Sequence, residues 1–211
     1  MKDIFGLNIP QTLEEVCDPR RVALLVYDMQ VGILNQIKNP EQITLQVLKV
    51  LSAARHAGVR VLFSRHLSLP KELMGMSQFR MAMAWQRTDS PEQVKPWFLR
   101  DDPSFQIIPE LAPRPTEGVF DKLTMSAFEG TWLDFALRDC NINAFIIVGV
   151  ATEIGIEPTI RHGADLGYIP VFVNDACGSG NAEAAQRSIN NIKFIGDALI
   201  TDTETVCLLW K

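Results

Sequence analysis

The sequence is poor in the patterns that mark disulfide scaffolds, metal centres and membrane proteins. It has four cysteines and three histidines among 211 residues. No two cysteines form a C-x-x-C pair and no two histidines lie four residues apart, so neither a thiolate zinc site nor a metal-binding helix is indicated. No apolar run approaches the ~20 residues that cross a bilayer. These cysteines and histidines are Cys17, Cys140, Cys177, Cys207, His56, His66 and His162.

The net charge indicates which partners the protein can bind, and the scattered thiols indicate its cellular compartment. A net charge of −5 provides no basic surface, so we expect neither nucleic acid nor a membrane as a partner. Scattered thiols in a chain of this size are expected to be reduced and mostly buried. The opening residues MKDIFGLNIP do not show the charged-then-apolar pattern of a signal peptide. We therefore expect a cytoplasmic protein.

Short apolar segments rich in Val, Ile and Phe alternate with helical patterns. Residues 22–27 form a continuous apolar run, typical of a strand buried on both faces of a parallel sheet. Residues 42–57 repeat apolar positions at helical spacing, and Gly58 follows them as a C-terminal cap. The alternation predicts an α/β fold, an open, mostly parallel sheet with helices on both faces. The other predicted strands are 59–63, 118–121, 144–149, 169–174 and 198–200, and the other helices 131–139, 152–166, 181–192 and 203–210.

The stretch at about 66–117 interrupts this alternation. It is too long for a simple connection, and long insertions in such folds are usually functional loops. We interpret residues 1–211 as a single domain whose insertion is a lid, a loop at the site or an oligomerisation element. Its Met, Phe and Trp side chains, among them Trp85, form either the core stripe of a helix or a wall of the pocket.

Charged residues stand where predicted strands end. In open α/β sheets the site lies outside the carboxyl ends of the strands, where the strand order reverses. Asp28 follows the first strand, Asp121 and Lys122 close the third, and Asp175 follows the fifth. Any one of these could be structural, but Asp28 and Lys122 carry opposite charges that would meet in one crevice. Burial favours a protonated, proton-donating Asp28, and a nearby ammonium favours an ionised one.

Three segments also resemble a known family. They are ALLVYDMQ (23–30), FDKLTMSAFEGTWLDFALRD (120–139) and IIVGVATEIGIEPTIRHGADLGYIPVFVNDACG (146–178). They are similar to the signature blocks of the isochorismatase-like, or cysteine hydrolase, family. The resemblance covers nearly the whole chain and implies a three-layer, Rossmann-like fold around a six-stranded sheet. Members include nicotinamidases, carbamoylsarcosine amidohydrolases and isochorismatases proper.

The resemblance implies a catalytic set with one departure. Family members use an Asp, a Lys and a Cys; Asp28 and Lys122 match the first two. Gly155 stands in the position of the nucleophilic cysteine. Cys177 and Cys140 are candidates for a displaced thiol, although a structural role is the simpler interpretation for both. The family's cis peptide falls at Val150–Ala151, which would help to aim the Ala151 and Gly155 amides into an anion-binding pocket.

Further site candidates come from position in the sequence. Gln30, two residues after Asp28, could orient Asp28 or a ligand. Phe128 and Trp132 lie near Lys122 in sequence, and Trp85 lies in the insertion; all three are candidates for substrate contacts. His66 lies near a metal-binding histidine of nicotinamidases, but no second ligand accompanies it. We therefore expect no metal and no cofactor.

Three functions remain open. The favoured one is a hydrolase that uses Asp28 and Lys122 for acid–base chemistry without a cysteine nucleophile. Some isochorismatases proper have glycine in the cysteine position, and the resemblance to them favours hydrolysis of a vinyl ether. The segment Ala151-Thr152-Glu153 resembles the amidase branch instead. The alternatives are a catalytically inactive small-molecule-binding relative and an amidohydrolase with a displaced thiol. The apolar insertion and the family's habit imply a homodimer or homotetramer.

Overall fold

A parallel sheet of six strands forms the centre of the structure, a computed structural model that describes residues 1–211. The strand order is β5-β4-β3-β6-β7-β8, and every neighbouring pair is parallel. The sequence-based prediction of an open α/β sheet is confirmed. The strands are β1 (Lys2–Ile4), β2 (Leu7–Ile9), β3 (Val22–Tyr27), β4 (Arg60–His66), β5 (Gly118–Lys122), β6 (Ala144–Gly149), β7 (Ile169–Cys177) and β8 (Leu199–Thr201).

Helices cover both faces of the sheet. Residues of β3 and β6 are buried throughout, because alternate side chains enter two separate cores. One core packs the sheet against the face that carries α3 and α8, and the other packs it against α5, α6 and α7. The helices are α1 (Leu13–Val16), α2 (Val31–Leu34), α3 (Pro40–His56), α4 (Met76–Gln86), α5 (Leu133–Asp139), α6 (Glu157–Asp165), α7 (Ala182–Ile195) and α8 (Thr203–Leu209).

Most predicted elements are present, with shifted ends. The helix predicted over 152–166 begins as a π-helical turn, Thr152–Ile156, and continues as α6. Pro158 lies in the first turn of α6, where its missing N–H is tolerated. The antiparallel hairpin of β1 and β2 was not predicted, because its few residues are exposed and show no alternation.

The insertion crosses the carboxyl end of the sheet as an irregular segment with one longer helix. No residue of α4 is buried, so its Met, Phe and Trp side chains are not a core stripe. The remaining segment consists of loops and 3₁₀ turns at Lys71–Leu73, Pro91–Gln93, Pro103–Phe105 and Pro109–Leu111. None of the helices in the fold is long and apolar enough to cross a membrane.

The strand order reverses between β3 and β6. The chain runs outward through β3, β4 and β5, and then returns to place β6 on the other side of β3. Such a reversal opens a crevice at the carboxyl ends of the two strands. The residues that follow β3 and β6 therefore face each other across the expected site.

Candidate active site

Asp28 and Lys122 form a buried ion pair in this crevice. Lys122 Nζ lies 2.7 Å from Asp28 Oδ2, and the two side chains are almost fully buried. Asp28 directly follows the central strand β3, whereas Lys122 ends the edge strand β5. The lysine side chain therefore reaches past β4 to meet the carboxylate. The positions of Asp28 and Lys122 at the ends of predicted strands indicated this contact.

The second oxygen of the Asp28 carboxylate is held by Ser64. Ser64 Oγ donates to Asp28 Oδ1 at 2.6 Å and accepts from the Asp28 amide at 3.2 Å. Asp28 adopts a left-handed backbone conformation with φ 47°, which turns the chain at the end of β3. Donors on both carboxylate oxygens stabilise the ionised form. The arrangement therefore presents Asp28 as a proton acceptor.

Lys122 is held between a carbonyl, a carboxylate and an aromatic ring. Its Nζ also donates to Thr124 O at 3.1 Å and lies 4.4 Å from the centre of the Tyr27 ring. Burial lowers the pKa of Lys122, and the charge and hydrogen bond of Asp28 oppose that shift. Loss of the proton therefore costs less here than in water. The pair can pass one proton between Nζ and Oδ2.

The turn after β6 supplies backbone groups on the other side of the crevice. The Val150–Ala151 peptide bond is cis, as the resemblance implied. The Ala151 amide donates to no acceptor within the chain, whereas the Gly155 amide donates to Ala151 O at 3.1 Å. Ala151 and Gly155 both line the pocket. Of the two amides proposed from the sequence, that of Ala151 is the one free to bind an anion.

The pocket over the ion pair has apolar walls and a volume of about 690 Å³, open solvent included. Trp85, Trp97 and Phe98 form its aromatic wall, in which the two tryptophan rings stack with 6.5 Å between their centres. Asp28 is the one charged side chain that lines it. No arginine or free lysine is available to bind a substrate carboxylate.

His66 forms part of the pocket wall. It lies at the end of β4 and packs edge-on against Phe98. Burial, with Lys122 adding to it, lowers the pKa of His66 to about 4, so the ring is neutral at pH 7. No group of three or more His, Cys, Asp or Glu side chains is arranged to hold a metal ion.

Gln30 connects two parts of the chain instead of facing a ligand. It is fully buried. Its Nε2 donates to His66 O at 3.0 Å and to Phe105 O at 2.8 Å, and its Oε1 accepts from the His66 amide at 2.6 Å. These bonds use its donors and its acceptor. Gln30 thus ties the turn after β3 to β4 and to the insertion.

Phe128 and Trp132 lie outside the pocket. Phe128 is buried in the second core, stacked on Tyr168 with 5.6 Å between ring centres. Trp132 packs against Phe120 at 5.2 Å and is 43% exposed on the outside of the edge strand. Their closeness to Lys122 in sequence was misleading, because the chain leaves the pocket after Met125, which still lines it.

The other charged strand ends have structural partners. The Asp121 carboxylate lies 2.7 Å from Arg65 and 3.0 Å from Arg100. It is next to Lys122 in β5, and neighbouring residues of a strand point to opposite faces. Asp175 accepts from the amide and hydroxyl of Thr203 at 2.8 and 2.9 Å, at the start of α8.

None of the four thiols lines the pocket. Cys177 is half-buried at the end of β7, beside β6; burial raises the pKa of its thiol, and Sγ donates to Ile147 O at 3.5 Å. Cys140 ends α5, before the amino end of β6. Burial raises the pKa of Cys17 to about 12. The geometry therefore offers no displaced thiol nucleophile.

Several residues of the site escaped the sequence-based interpretation. Ser64 and Tyr27 lie inside apolar strands, where a single polar group resembles a core residue. Phe98 lies in a loop of the insertion, whose path no periodic pattern indicates. The alternation of β4 could have identified Ser64, because Ser64 and His66 lie on the same face of that strand.

The comparisons with known proteins agree with this fold. The profile of the Isochorismatase domain matches residues 22–205, and the chain therefore belongs to the isochorismatase family of hydrolases. A ureidoacrylate amidohydrolase RutB from Acinetobacter baylyi is 29% identical over 89% of this chain and 82% of its own. The protein of that name from Pantoea ananatis is 28% identical over 84% of this chain and 78% of its own.

Solved structures share the architecture. A cysteine hydrolase from Pseudomonas syringae pv. phaseolicola superposes with a TM-score of 0.76 and 27% identity, covering 90% of this chain and 92% of its own. An N-carbamoylsarcosine amidase from Thermoplasma acidophilum superposes with a TM-score of 0.71 over 87% of this chain and 97% of its own. At 19% identity the second supports the fold alone.

Proposed function

We propose that this protein hydrolyses a small molecule with water as the nucleophile, while Asp28 and Lys122 move the proton. The observation that carries the proposal is the buried contact of 2.7 Å between the two side chains at the pocket. A buried pair of opposite charges is costly to maintain unless its geometry is good, and clefts with such pairs are candidate catalytic sites. Gly155 in the nucleophile's position leaves water as the attacking group.

The proposed step follows from the charge states of the free site. Asp28, ionised between Ser64 and Lys122, accepts a proton from a water molecule as the water oxygen bonds to the substrate carbon. The Ala151 amide donates to the oxygen that gains negative charge when a carbonyl is attacked. The bond to the leaving group then breaks and Asp28 returns the proton to that group. Lys122 stabilises the carboxylate form of Asp28 before and after the step.

The charge state of Asp28 distinguishes two types of substrate. Attack of water on an amide or ester carbonyl needs Asp28 as an acceptor, the state that its hydrogen bonds already stabilise. Cleavage of a vinyl ether, the type favoured by Gly155, needs a proton donor. In this site Lys122 would have to transfer its proton to Oδ2 first. We therefore rank a carbonyl substrate first and a vinyl ether second.

The walls of the pocket favour a neutral, largely apolar substrate. Trp85, Trp97 and Phe98 provide stacking surface, and no unpaired cation is present to bind a carboxylate. Because α4 contributes to this wall without a buried residue of its own, we propose that the insertion at 66–117 is a lid or an interface between subunits. A homodimer or homotetramer would cover its exposed apolar side chains, and light scattering coupled to gel filtration tests this.

The test measures hydrolysis of small amides, esters and vinyl ethers by the purified protein and by Asp28→Asn. Asparagine tolerates the left-handed backbone at this position, so loss of activity reports the carboxylate. We expect at least a ~10²-fold lower kcat in Asp28→Asn, as for loss of a general base. Asp175→Asn, which changes a carboxylate outside the pocket, is the matched control and keeps its activity.

Treatment with iodoacetamide separates the proposal from its thiol alternative. Activity should survive alkylation of every accessible thiol, and its loss with Cys177 modified would overturn the proposal. The second candidate is an inactive small-molecule-binding relative, favoured by the absence of a side chain at Gly155. Binding of neutral aromatic compounds, without hydrolysis of any of the three substrate types, would support it.

A further inference from the structure

The ring of Tyr27 fills the space beside Gly155 into which a side chain would project. A Cβ atom built on Gly155 would lie 1.9 Å from the Tyr27 hydroxyl oxygen, 2.5 Å from Cζ and 2.7 Å from Cε1. Real Cβ atoms essentially never come within 3.0 Å of such neighbours. The backbone of Gly155 does not have the positive φ that would itself require glycine. Space, and not backbone conformation, is therefore what excludes a side chain here.

Tyr27 cannot vacate this space without losing several contacts. It is the last residue of β3 and is 1% exposed. Its hydroxyl donates to Met125 O, and the ammonium of Lys122 lies over its ring, 4.4 Å from the centre. Burial and the neighbouring charge of Asp28 raise the pKa of Tyr27 well above 10.0. The phenol stays neutral and is no substitute nucleophile.

We infer that Tyr27 is a specificity-determining residue that occupies the position of the family nucleophile's side chain, so that residues 27 and 155 form one matched pair. Tyr27 lines the same pocket as Asp28 and Gly155. Its neutral ring and hydroxyl form the floor against which a substrate lies, and they exclude a thiol from the covalent route. The inference rests on the proposed function only in equating Gly155 with the nucleophile's position; the exclusion itself is steric.

The experiment tests whether a cysteine fits at position 155 only after Tyr27 is shortened. It compares Gly155→Cys alone with the double variants Tyr27→Val/Gly155→Cys and Tyr27→Phe/Gly155→Cys. Urea unfolding measures the stability of each. Gly155→Cys should be strongly destabilised in the wild-type background. Measured against Tyr27→Val alone, the same change should lower the folding equilibrium constant by at least about tenfold less, since contacting residues are coupled. Phenylalanine retains Cζ and Cε1 and should give little or no rescue.

Alkylation by iodoacetamide, mapped by mass spectrometry, provides a second readout that needs no substrate. The thiol introduced with Tyr27→Val should react from the pocket faster than buried Cys17. Gly180→Cys is the matched control, because Gly180 lines the same pocket but its Cβ would meet only Glu153 Oε1 at 3.3 Å. Its stability and reactivity should not depend on Tyr27.

Two results would overturn the inference. One is a Gly155→Cys protein as stable as the wild type with a thiol that reacts as fast as in the double variant. The other is a Gly155→Cys change that costs as much stability in the Tyr27→Val background as in the wild type. Because neither readout involves hydrolysis, an inactive wild-type protein would defeat the proposed function and leave this inference intact.

Discussion

The floor and the aromatic wall of the pocket are built in opposite ways. The floor consists of Tyr27, Asp28 and Gly155, together with Ser64 and Lys122, which contact Asp28 from behind the pocket surface. It is buried in the sheet and its first turns, and its polar side chains are hydrogen-bonded or ion-paired. The wall is contributed by α4 and by loops of the insertion, with Trp85 44% exposed. Strands fix positions to a fraction of an ångström, whereas loops tolerate change. We propose that the floor carries the reaction and that the wall selects the molecules that reach it.

Removal of one charge from the floor is expected to have the largest effect on stability. Lys122→Met leaves Asp28 ionised and buried without its partner, and it should lower the free energy of unfolding by ~3–5 kcal/mol. Asp28→Asn/Lys122→Met removes both charges and should lose less. Urea unfolding at pH 7 measures both. A single variant as stable as the double one would contradict the assignment of a tightly packed floor.

Gln30→Ala tests the hydrogen bonds by which Gln30 joins the turn after β3 to β4 and the insertion. The change leaves the carbonyls of His66 and Phe105 and the His66 amide without their partners. Each unsatisfied buried group costs ~1–3 kcal/mol, and water entering the gap reduces the sum. We expect a loss of ~2–4 kcal/mol with faster hydrogen exchange in the insertion than in β6. Equal acceleration in both would contradict the linking role of Gln30.

The pH dependence of stability reports the burial of His66 in the wall. The pKa of His66 falls from 6.5 to about 4 on folding, so the unfolded chain binds more protons between these values. The contribution of His66 to the free energy of unfolding is fully present above pH 6.5 and falls by roughly 1–3 kcal/mol as the pH drops to 4. This range is smaller than the full pKa shift implies, because the ring borders the pocket. His66→Gln should remove that part of the slope. His56→Gln, on the exposed end of α3, should leave it unchanged.

Replacement of either of two tryptophans should have the smallest effect on stability. The comparison of the two variants is the sharpest test of the wall. Trp85 and Trp132 are 44% and 43% exposed, but only Trp85 lines the pocket. Trp85→Ala and Trp132→Ala should each cost ~1 kcal/mol of stability. Trp85→Ala should also raise the KM for an aromatic substrate about tenfold with little change in kcat. An equal change in KM for Trp132→Ala would contradict the placement of the wall.

The sequence predicted a residue's place in the site correctly where that residue stands at the end of a strand. Asp28 and Lys122 follow apolar runs, and parallel strands bring their carboxyl ends to one edge, so their meeting was predictable. Gln30, Phe128 and Trp132 were expected at the ligand because they are near these residues in sequence. In the structure Gln30 bonds to three backbone groups, Phe128 enters the second core and Trp132 packs outside β5. Such outcomes depend on loop directions, which no local pattern encodes.

By itself, the sequence determined the class of fold, the position of the crevice and the two charges in it, because burial periodicity and strand ends are local properties. The resemblance to the family also predicted that Gly155 stands in the position of the nucleophile. Only the tertiary structure decided why no side chain fits there: Tyr27, which precedes Gly155 by more than a hundred residues, lies 1.9 Å from its missing Cβ. Contacts between adjacent strands join residues distant in sequence, and packing decides which side chain takes the shared space.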